Sequence, residues 1–478
     1  MIVVMPLRFA AASLMLACAF AANAADAPRY ALRYEARDRT MQVALCLPRA
    51  ADSVRFAAGD VSARHVDAVT RDRGAQVARV DGAWLARNWR AGECLHYRAA
   101  LGALAAEQAP GRTRNDDDVV VDPSSWLLQA DGTGDADARV QLPPGYAISA
   151  PWRRVADTER YRIPHTPDDW MARVAIGRFG ERAIALAGGT LHVAILHGAD
   201  AAQRERLLGW LRRVGRAALS AYGRLPLADV QVLIIPVGAQ HEAVVFGQST
   251  RGQGHALTLF VDPAQPDAAF DRDWVAVHEL SHLFHPYLGD RGAWLAEGLA
   301  TYYQNVLRAR AGLLTPEQAW AALDAGFARG RQATQGDGDL ETAAARMGER
   351  HDFQRVYWSG AAYWLQVDAD LRRGSANRMS VDEALRRFDA CCLPSERAWP
   401  AQTFIAKLDA LSGSDVFSRR FREYRERRDF PDLAELYAAF GIVRATDDLR
   451  FDDDARDAGI RRAIMAPADH RVSRRRIP

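Results

Sequence analysis

Residues 277–289, which read VHELSHLFHPYLG, put three histidines and a glutamate into an otherwise apolar segment. Apolar side chains recur at helical spacing, and the acidic residues just before the segment suit a helix N-terminus, so we predict a buried helix. His278 and His282 are four residues apart and therefore lie on one face of that helix, about 6 Å apart along its axis. Such polar groups are costly to bury without a partner. The fold must therefore be built around whatever both imidazoles bind.

The spacing H-E-x-x-H is typical of a zinc site, in which two imidazoles bind the ion and the glutamate beside them deprotonates a water. Glu279 is one step round the helix from His278 and is the candidate base. His285 and Glu297 compete for the third ligand position. Three ligands in a row on one straight helix do not form a tetrahedral corner, which disfavours His285. Glu297 would project from a following helix toward the histidine pair, so we predict one zinc ion per chain on His278, His282 and Glu297.

The motif H-E-x-x-H followed by W-L-x-E-G-x-A-x-Y-Y resembles the gluzincin metallopeptidases, and within them the glycyl aminopeptidase family. The later stretch RVYWSGAAYWLQVDADLRRGSANRMSVDEALRRF is similar to that family's Y-x-K-G-A, D-x-x-x-R and S-x-D-x-x-L segments. The resemblance covers most of residues 26–440. It implies a β-rich first domain, a thermolysin-like catalytic domain and the zinc ligands predicted above. It also implies that Glu279 is general base and acid, and that Tyr357 hydrogen-bonds the oxyanion of the tetrahedral intermediate.

The sequence departs from the family in the segment whose glutamate grips a substrate's free amine. The matching residues, VVFGQSTRGQGHALTLFVD, contain His255 but no glutamate, and Glu242 lies nearby but out of pattern. We therefore expect that blocking a peptide's N-terminus does not prevent cleavage. Arg251 and His255 are the next candidates for the oxyanion donor after Tyr357. Too few residues follow the catalytic region for the family's C-terminal PDZ domain.

Two patterns divide the rest of the chain. Short alternating apolar runs broken by turn residues predict an antiparallel β-sandwich domain over 25–185. Strands and a long amphipathic helix follow, and from about residue 271 the chain is mostly helical. The predicted fold class is α+β, with the β-sandwich joined to a thermolysin-like, mainly helical zinc peptidase domain over 186–445. The charged residues 446–478 are predicted to be a partly disordered tail.

Residues 1–24 have the pattern of a signal peptide. Arg8 precedes an apolar run, and the A-N-A at 22–24 matches a cleavage site. That run is too short to span a hydrocarbon core of about 30 Å, and no other segment is long and apolar enough. We expect an exported protein, periplasmic or secreted, with no integral membrane segment in the mature chain. Anchoring as a lipoprotein through Cys18 is disfavoured, because a good cleavage site follows it.

Four cysteines remain after cleavage at this site. Cys46 and Cys94 each lie in a strand-like run, and an oxidising compartment permits disulfides, so we predict that they pair. Cys391 and Cys392 are adjacent, which is poor geometry for an ordinary disulfide, and we expect two half-buried thiols. No C-x-x-C occurs, which argues against a cysteine zinc site.

These observations predict an exported zinc-dependent metallopeptidase, aminopeptidase-like, that hydrolyses peptide bonds with a zinc-activated water and Glu279 as general base. Its partner would be a peptide substrate, since a net charge of +2 argues against a dedicated nucleic-acid binder. The alternative is a catalytically quiet gluzincin domain that acts as a periplasmic binding module. The intact Glu279 argues against that alternative, because a pure binder has no use for a base beside the metal.

Overall fold

The computed structural model describes residues 27–57, 62–108, 118–155, 159–335, 338–445 and 448–467, so the predicted signal peptide and Cys18 lie outside the described residues. The strands are β1 Arg29–Glu35, β2 Thr40–Cys46, β3 Ala51–Ala57, β4 Val66–Arg71, β5 Ala78–Val80, β6 Ala83–Trp89, β7 Cys94–Ala99, β8 Val119–Val121, β9 Gln129–Ala130, β10 Ala136–Gln141, β11 Ala147–Ser149, β12 Arg153–Arg154, β13 Arg160–Ile163, β14 Val174–Gly177, β15 Glu181–Leu186, β16 Gly189–Ile195, β17 Asp229–Pro236, β18 Val244–Thr250, β19 Ala256–Val261, β20 Ile442–Arg444 and β21 Leu449–Phe451.

The helices are α1 Ser62–His65, α2 Leu101–Gln108, α3 Ala201–Leu219, α4 Asp267–Arg272, α5 Val275–Ser281, α6 Ala293–Arg310, α7 Pro316–Ala333, α8 Leu340–Ala345, α9 Met347–Arg350, α10 Phe353–Ser375, α11 Val381–Cys392, α12 Ala401–Ser412, α13 Val416–Arg425, α14 Ala434–Phe440 and α15 Ala458–Met465.

The first region is built from β-sheets, as the alternating pattern predicts. Its sheets have the strand orders β12-β13-β10-β1-β2-β7-β4, β5-β6-β3-β9 and β11-β14-β8. In β2 every second residue, Met41, Val43 and Leu45, is buried, because successive side chains of a strand point to opposite faces. The pairs are antiparallel apart from β1 with β10, which is parallel. The predicted fold class is confirmed, and this domain has a hydrophobic core of its own.

The catalytic region begins with a five-stranded sheet in the order β15-β16-β17-β19-β18. The parallel strands β16 and β17 are joined by α3, whose first turn is capped by the side chain of Asp200. β18 pairs antiparallel with β19 and is the last strand on that side of the sheet. Within the described residues its outer backbone edge is therefore unpaired, and α5 packs against the strand.

Helices α6 and α10 form the centre of the helical part, and they approach each other at two glycines. A Cβ atom on Gly298 would lie 2.3 Å from the carbonyl carbon of Gly360. A Cβ atom on Gly360 would lie 2.0 Å from the carbonyl oxygen of Trp294. Glycine is required at this crossing because only its missing side chain lets two helix backbones come so close.

The cysteines pair in two ways, one predicted and one not. Cys46 and Cys94 form a disulfide across the neighbouring strands β2 and β7, as predicted. Cys391 and Cys392 are also joined, at the end of α11, so the expectation of two free thiols is wrong.

The last described residues are more ordered than the sequence suggests. β21 pairs with β20, and α15 packs onto the helical core. Arg310 of α6 donates a hydrogen bond of 2.8 Å from Nε to the carbonyl of Ile464. Within the region 446–478, predicted to be a partly disordered tail, residues 448–467 therefore contain a paired strand and a packed helix. Along the described ranges, none of the helices combines the length and the hydropathy needed to cross a bilayer.

Candidate metal centre and active site

Three side chains from two helices meet at one point. His278 lies in α5, His282 begins the 3-10 turn His282–Phe284 that continues it, and Glu297 lies near the start of α6. Their ligand atoms all lie within 4.8 Å of one another. Glu297 Oε2 is 3.2 Å from His278 Nε2 and 3.6 Å from His282 Nε2. The two elements thus bring together the three residues predicted as metal ligands.

The arrangement suits a zinc ion. Two imidazole nitrogens and one carboxylate oxygen form the donor set typical of catalytic zinc, which binds them at about 2.0–2.2 Å and keeps one position open. Tetrahedral ligands at that distance are separated by about 3.4 Å, close to the spacings found here. Burial would raise the pKa of Glu297, but His282 and His278 outweigh burial and hold that pKa well below its usual range. Glu297 is therefore anionic, as a carboxylate ligand of zinc would have to be.

Further polar groups orient the two histidines. Gln304, two turns after Glu297 in α6, places Oε1 2.8 Å from His278 Nδ1. Because an amide oxygen only accepts, His278 carries its proton on Nδ1 and turns the lone pair of Nε2 toward Glu297. Apart from its helical spacing from Glu297, no sequence pattern points to Gln304.

His285 contacts the centre from behind rather than joining it. Its Nδ1 donates to the carbonyl of Pro286 at 2.7 Å, and its Nε2 lies 3.2 Å from His282 Nδ1. Burial holds the pKa of His285 well below its usual value, so its ring is neutral and Nε2 accepts. His282 must then donate from Nδ1, which turns its Nε2 toward Glu297.

Glu279 is buried between α5 and the edge strand β18. A Cβ atom on Gly247 would lie 2.7 Å from Glu279 Cγ and 2.5 Å from Val275 Cγ1, so β18 can pass this close only with glycine there. Ser249 fixes the same helix turn by donating from Oγ to the carbonyl of Glu279 at 2.6 Å. The candidate base is therefore held in a narrow position beside the histidine pair.

Tyr357 lies against the metal ligands. Its ring stacks on that of His278, with centroids 5.7 Å apart and an angle of 15° between the planes. Burial and then the carboxylate of Glu297 raise its pKa, so the hydroxyl stays protonated and can donate a hydrogen bond. The Gly298–Gly360 crossing accounts for this position, because it holds Gly360, about one turn after Tyr357 in α10, against Gly298, the residue next to Glu297.

Arg251 and Glu242 lie at different distances from the centre. Arg251 donates from Nη2 to the carbonyl of His282 at 2.7 Å and to that of His285 at 3.3 Å. Glu242 is exposed. The burial of Asp273, which lies just before α5, raises the pKa of that residue to about 7, and the charge of Glu242 adds to this effect. Arg251 therefore contacts the backbone of the candidate ligand His282, whereas Glu242 acts on Asp273, just before α5.

A second group of candidate ligands lies in the first domain. Asp72, Cys94 and His96 are close together, but Cys94 is bonded to Cys46 and its sulfur is not available as a ligand.

Comparison with known proteins gives a family match for part of the chain and solved structures with the same fold. A model of the M61 glycyl aminopeptidase family matches residues 281–360, which include His282, Glu297 and Tyr357. No curated protein matches the chain.

Three solved structures share the fold. An aminopeptidase N family protein from Idiomarina loihiensis is 14% identical, with a TM-score of 0.66 over 87% of this chain and 78% of that one. An M1 zinc metallopeptidase from Deinococcus radiodurans is 16% identical, with a TM-score of 0.52 over 85% and 95%. Yeast LTA4 hydrolase in complex with bestatin is 14% identical, with a TM-score of 0.51 over 86% and 69%.

The family match carries the sequence resemblance, and the solved structures carry the fold. Together with the donor set, they confirm the predicted resemblance of this chain to the gluzincin zinc metallopeptidases and to the glycyl aminopeptidase family among them.

Proposed function

We propose that this chain hydrolyses peptide bonds as a zinc-dependent metallopeptidase that is aminopeptidase-like in its fold and zinc site. His278, His282 and Glu297 would hold the zinc ion, and Glu279 would be the general base. The observation that supports this most directly is the meeting of the three ligand atoms within 4.8 Å, with Glu279 beside them. The two second-layer contacts, from Gln304 and His285, support it further because they aim both imidazoles at one point.

The residues have separate tasks in this reaction. Zinc, when bound, would polarise the scissile carbonyl and lower the pKa of the attacking water. Glu279 accepts the proton that the water loses and delivers it to the nitrogen of the leaving amine. Tyr357 donates from its hydroxyl to the carbonyl oxygen as that oxygen gains negative charge.

The edge strand β18 would bind the peptide backbone. Its unpaired N–H and C=O groups can take an extended substrate as a further strand, with Glu279 directly beneath Gly247. Large apolar side chains are exposed near it: Phe246 is 51% exposed, and Trp274, which contacts His278, is 44% exposed. Exposed apolar groups beside a catalytic centre are typical of a binding surface.

The ligand assignment predicts metal content directly. Purified protein should hold about one zinc ion per chain, and His278→Ala, His282→Ala or Glu297→Ala should abolish stable binding because each removes a first ligand. His285→Ala should retain the ion with affinity lowered by about 10- to 100-fold, since it removes only an orienting partner. Zinc is measured by mass spectrometry after dialysis. Loss of zinc in His285→Ala together with its retention in Glu297→Ala would show that the assignment is wrong.

The role of Tyr357 predicts a selective loss of rate. Tyr357→Phe removes the hydroxyl and keeps the ring that stacks on His278, so folding, zinc content and KM should change little. The rate constant kcat should fall by about 10²–10³-fold, on the order of 3 kcal/mol, because one oxyanion donor is lost. Steady-state cleavage of a quenched fluorescent peptide measures it. A wild-type kcat would mean that the ring only packs, and Arg251 and His255 would then be tested in the same way.

A catalytically quiet binding module is the competing function. It would need the metal ligands but not Glu279, and the close packing of Glu279 against Gly247 favours a catalytic role for that residue.

We also propose that the protein is exported, on the basis of residues 1–24 and of the Cys46–Cys94 disulfide, which suits an oxidising compartment. N-terminal sequencing of the protein from a cell fraction tests the export.

A further inference from the structure

We propose that Arg251 determines the substrate preference of this centre. Its guanidinium would receive a carboxylate that lies on the amino-terminal side of the scissile bond, where the glycyl aminopeptidase family carries a glutamate for a free amine. This inference rests on the proposed peptidase function and names the class of peptide that it would take.

Arg251 directly follows the edge strand β18, which passes over α5, the helix that carries His278. Along this strand, alternate residues contact successive parts of that helix: Gly247 meets the side chain of Glu279, Ser249 binds its carbonyl, and Arg251 binds the carbonyl of His282. Arg251 therefore lies about 13 Å further along the chain than Gly247, within the same stretch that matches the family's amine-gripping segment.

The guanidinium keeps donors for a ligand. Its Nη2 is used by the carbonyls of His282 and His285. Among the described residues, no acceptor lies within hydrogen-bond distance of Nη1 or Nε, and the side chain is only half-buried. A guanidinium carries five N–H donors in a fixed plane, so a carboxylate can bind without disturbing the bonds already made.

The charge of the surroundings also favours an anion. Glu297 and Glu279 both act on Arg251, and Zn²⁺ taken together with these three side chains would have a net charge of +1. His255, on the other side, is neutral, since burial lowers its pKa to about 3 and Arg251 adds to that effect. A free ammonium group placed against Arg251 would be repelled, whereas a carboxylate would be attracted.

The position of Arg251 is fixed by the loop that follows it. A Cβ atom on Gly252 would lie 2.2 Å from the carbonyl oxygen of Trp170, and one on Gly254 2.0 Å from that of Pro151. Gln253 accepts a hydrogen bond of 2.8 Å from Trp152 Nε1 and donates one of 2.9 Å to Thr166 Oγ1. The loop is thus pinned to residues that precede the catalytic sheet, and a pre-organised cation loses little freedom when it binds a ligand.

Asp169 is an acidic residue that could produce the opposite preference, for a peptide with a free amine. Asp169 is exposed and shares with Arg251 an electrostatic contact to Tyr287. If the enzyme does grip a free amine, Asp169 is one candidate for that role, and it enters the test as a separate variant.

The test uses one peptide with three N-terminal groups that differ in charge: succinyl, acetyl and the free amine. With the zinc-loaded wild-type protein, kcat/KM should be highest for the succinyl peptide and lowest for the free amine, the two differing by about 10- to 100-fold. Arg251→Gln should bring the three peptides within a few-fold of one another, and Arg251→Glu should reverse the order. Arg182→Gln is the matched control, because Arg182 lies exposed on β15, at the opposite edge of the same sheet.

Binding gives a second readout that does not depend on turnover. Affinities of the same three peptides for the Glu279→Gln variant, measured by fluorescence anisotropy, should follow the same order and lose it when Arg251→Gln is added. If Arg251 only stabilises the turn after α5, Arg251→Gln will lower the cleavage rates of all three peptides equally, which overturns the proposal. A free-amine preference that disappears in Asp169→Asn overturns it as well. If the wild-type protein binds the three peptides in the expected order but cleaves none, the peptidase function fails and the anion subsite stands.

Discussion

Replacement of Glu279 by glutamine should leave the protein folded and loaded with zinc but lower kcat by about 10²–10⁴-fold. Glutamine has the shape of glutamate, so it fits the narrow space beneath Gly247, where the approach of β18 leaves no room for a different shape. It cannot accept a proton, so the attacking water loses its base and the leaving amine loses its acid. Because neither function is used in the ground state, KM should change little.

The measurement combines peptide hydrolysis with zinc analysis and a circular dichroism spectrum of each preparation. A matched control is Glu383→Gln, since Glu383 is a partly exposed carboxylate of α11 that pairs with Arg386 and Arg387 rather than with the centre. Wild-type hydrolysis by Glu279→Gln would exclude the proposed mechanism. Zinc loss in that variant would instead show that Glu279 contributes to binding the metal.

The site was predictable from sequence because its residues lie close together along two helices. His278 and His282 are fixed by the 3.6-residue period, and a buried charge in WLAEGLATYY has few uses other than as a ligand. The partners that orient the ligands were not predictable in the same way. Gln304 reaches His278 only because α5 and α6 pack side by side, which no local pattern records.

The edge strand shows a second limit of local patterns. VVFGQST has neither alternation nor an unbroken apolar run, because one of its faces meets the zinc helix and its outer edge is exposed. Its glycine suggests a break, yet Gly247 is what allows the strand to pass over Glu279. Local patterns also did not predict the disulfide between Cys391 and Cys392, because adjacent cysteines are poor geometry for an ordinary disulfide. They did not predict α15, because its charged segment shows no sign of the helical core on which it packs.

The segments that resemble the family beyond the zinc motif acquire a physical explanation in the structure. Asp368 and Arg372 form the D-x-x-x-R segment of α10, and Asp382 belongs to the S-x-D-x-x-L segment of α11. Arg372 pairs with Asp368 at 3.1 Å and lies 3.4 Å from Asp382. These charges meet behind α6, so the two segments hold the helix that carries Glu297.

Tyrosines and an arginine of α6 complete this buried network. Tyr302 donates to Asp368 and Tyr303 donates to Asp382, each at 2.8 Å. Arg310 binds Asp382 at 3.0 Å, and only 2% of its side chain is exposed. The network therefore ties α6, α10 and α11 together through charges that are largely buried.

Removal of one charge from this network should be costly. Asp382→Asn keeps the size of the side chain but leaves Arg310 and Arg372 without their shared carboxylate, and a buried cation that loses its partner destabilises a protein by about 3–5 kcal/mol. The neighbouring Glu383→Gln also removes a carboxylate that pairs with two arginines, but these pairs are partly exposed and should contribute about 1 kcal/mol or less. Urea unfolding of the two variants, followed by tryptophan fluorescence, compares their midpoints under identical zinc loading. Equal midpoints would mean that the buried arginines find other acceptors and that α6 is held by packing alone. A large shift of the midpoint in Asp382→Asn alone would show that α6, the helix that carries Glu297, is stabilised by a carboxylate of another helix, α11.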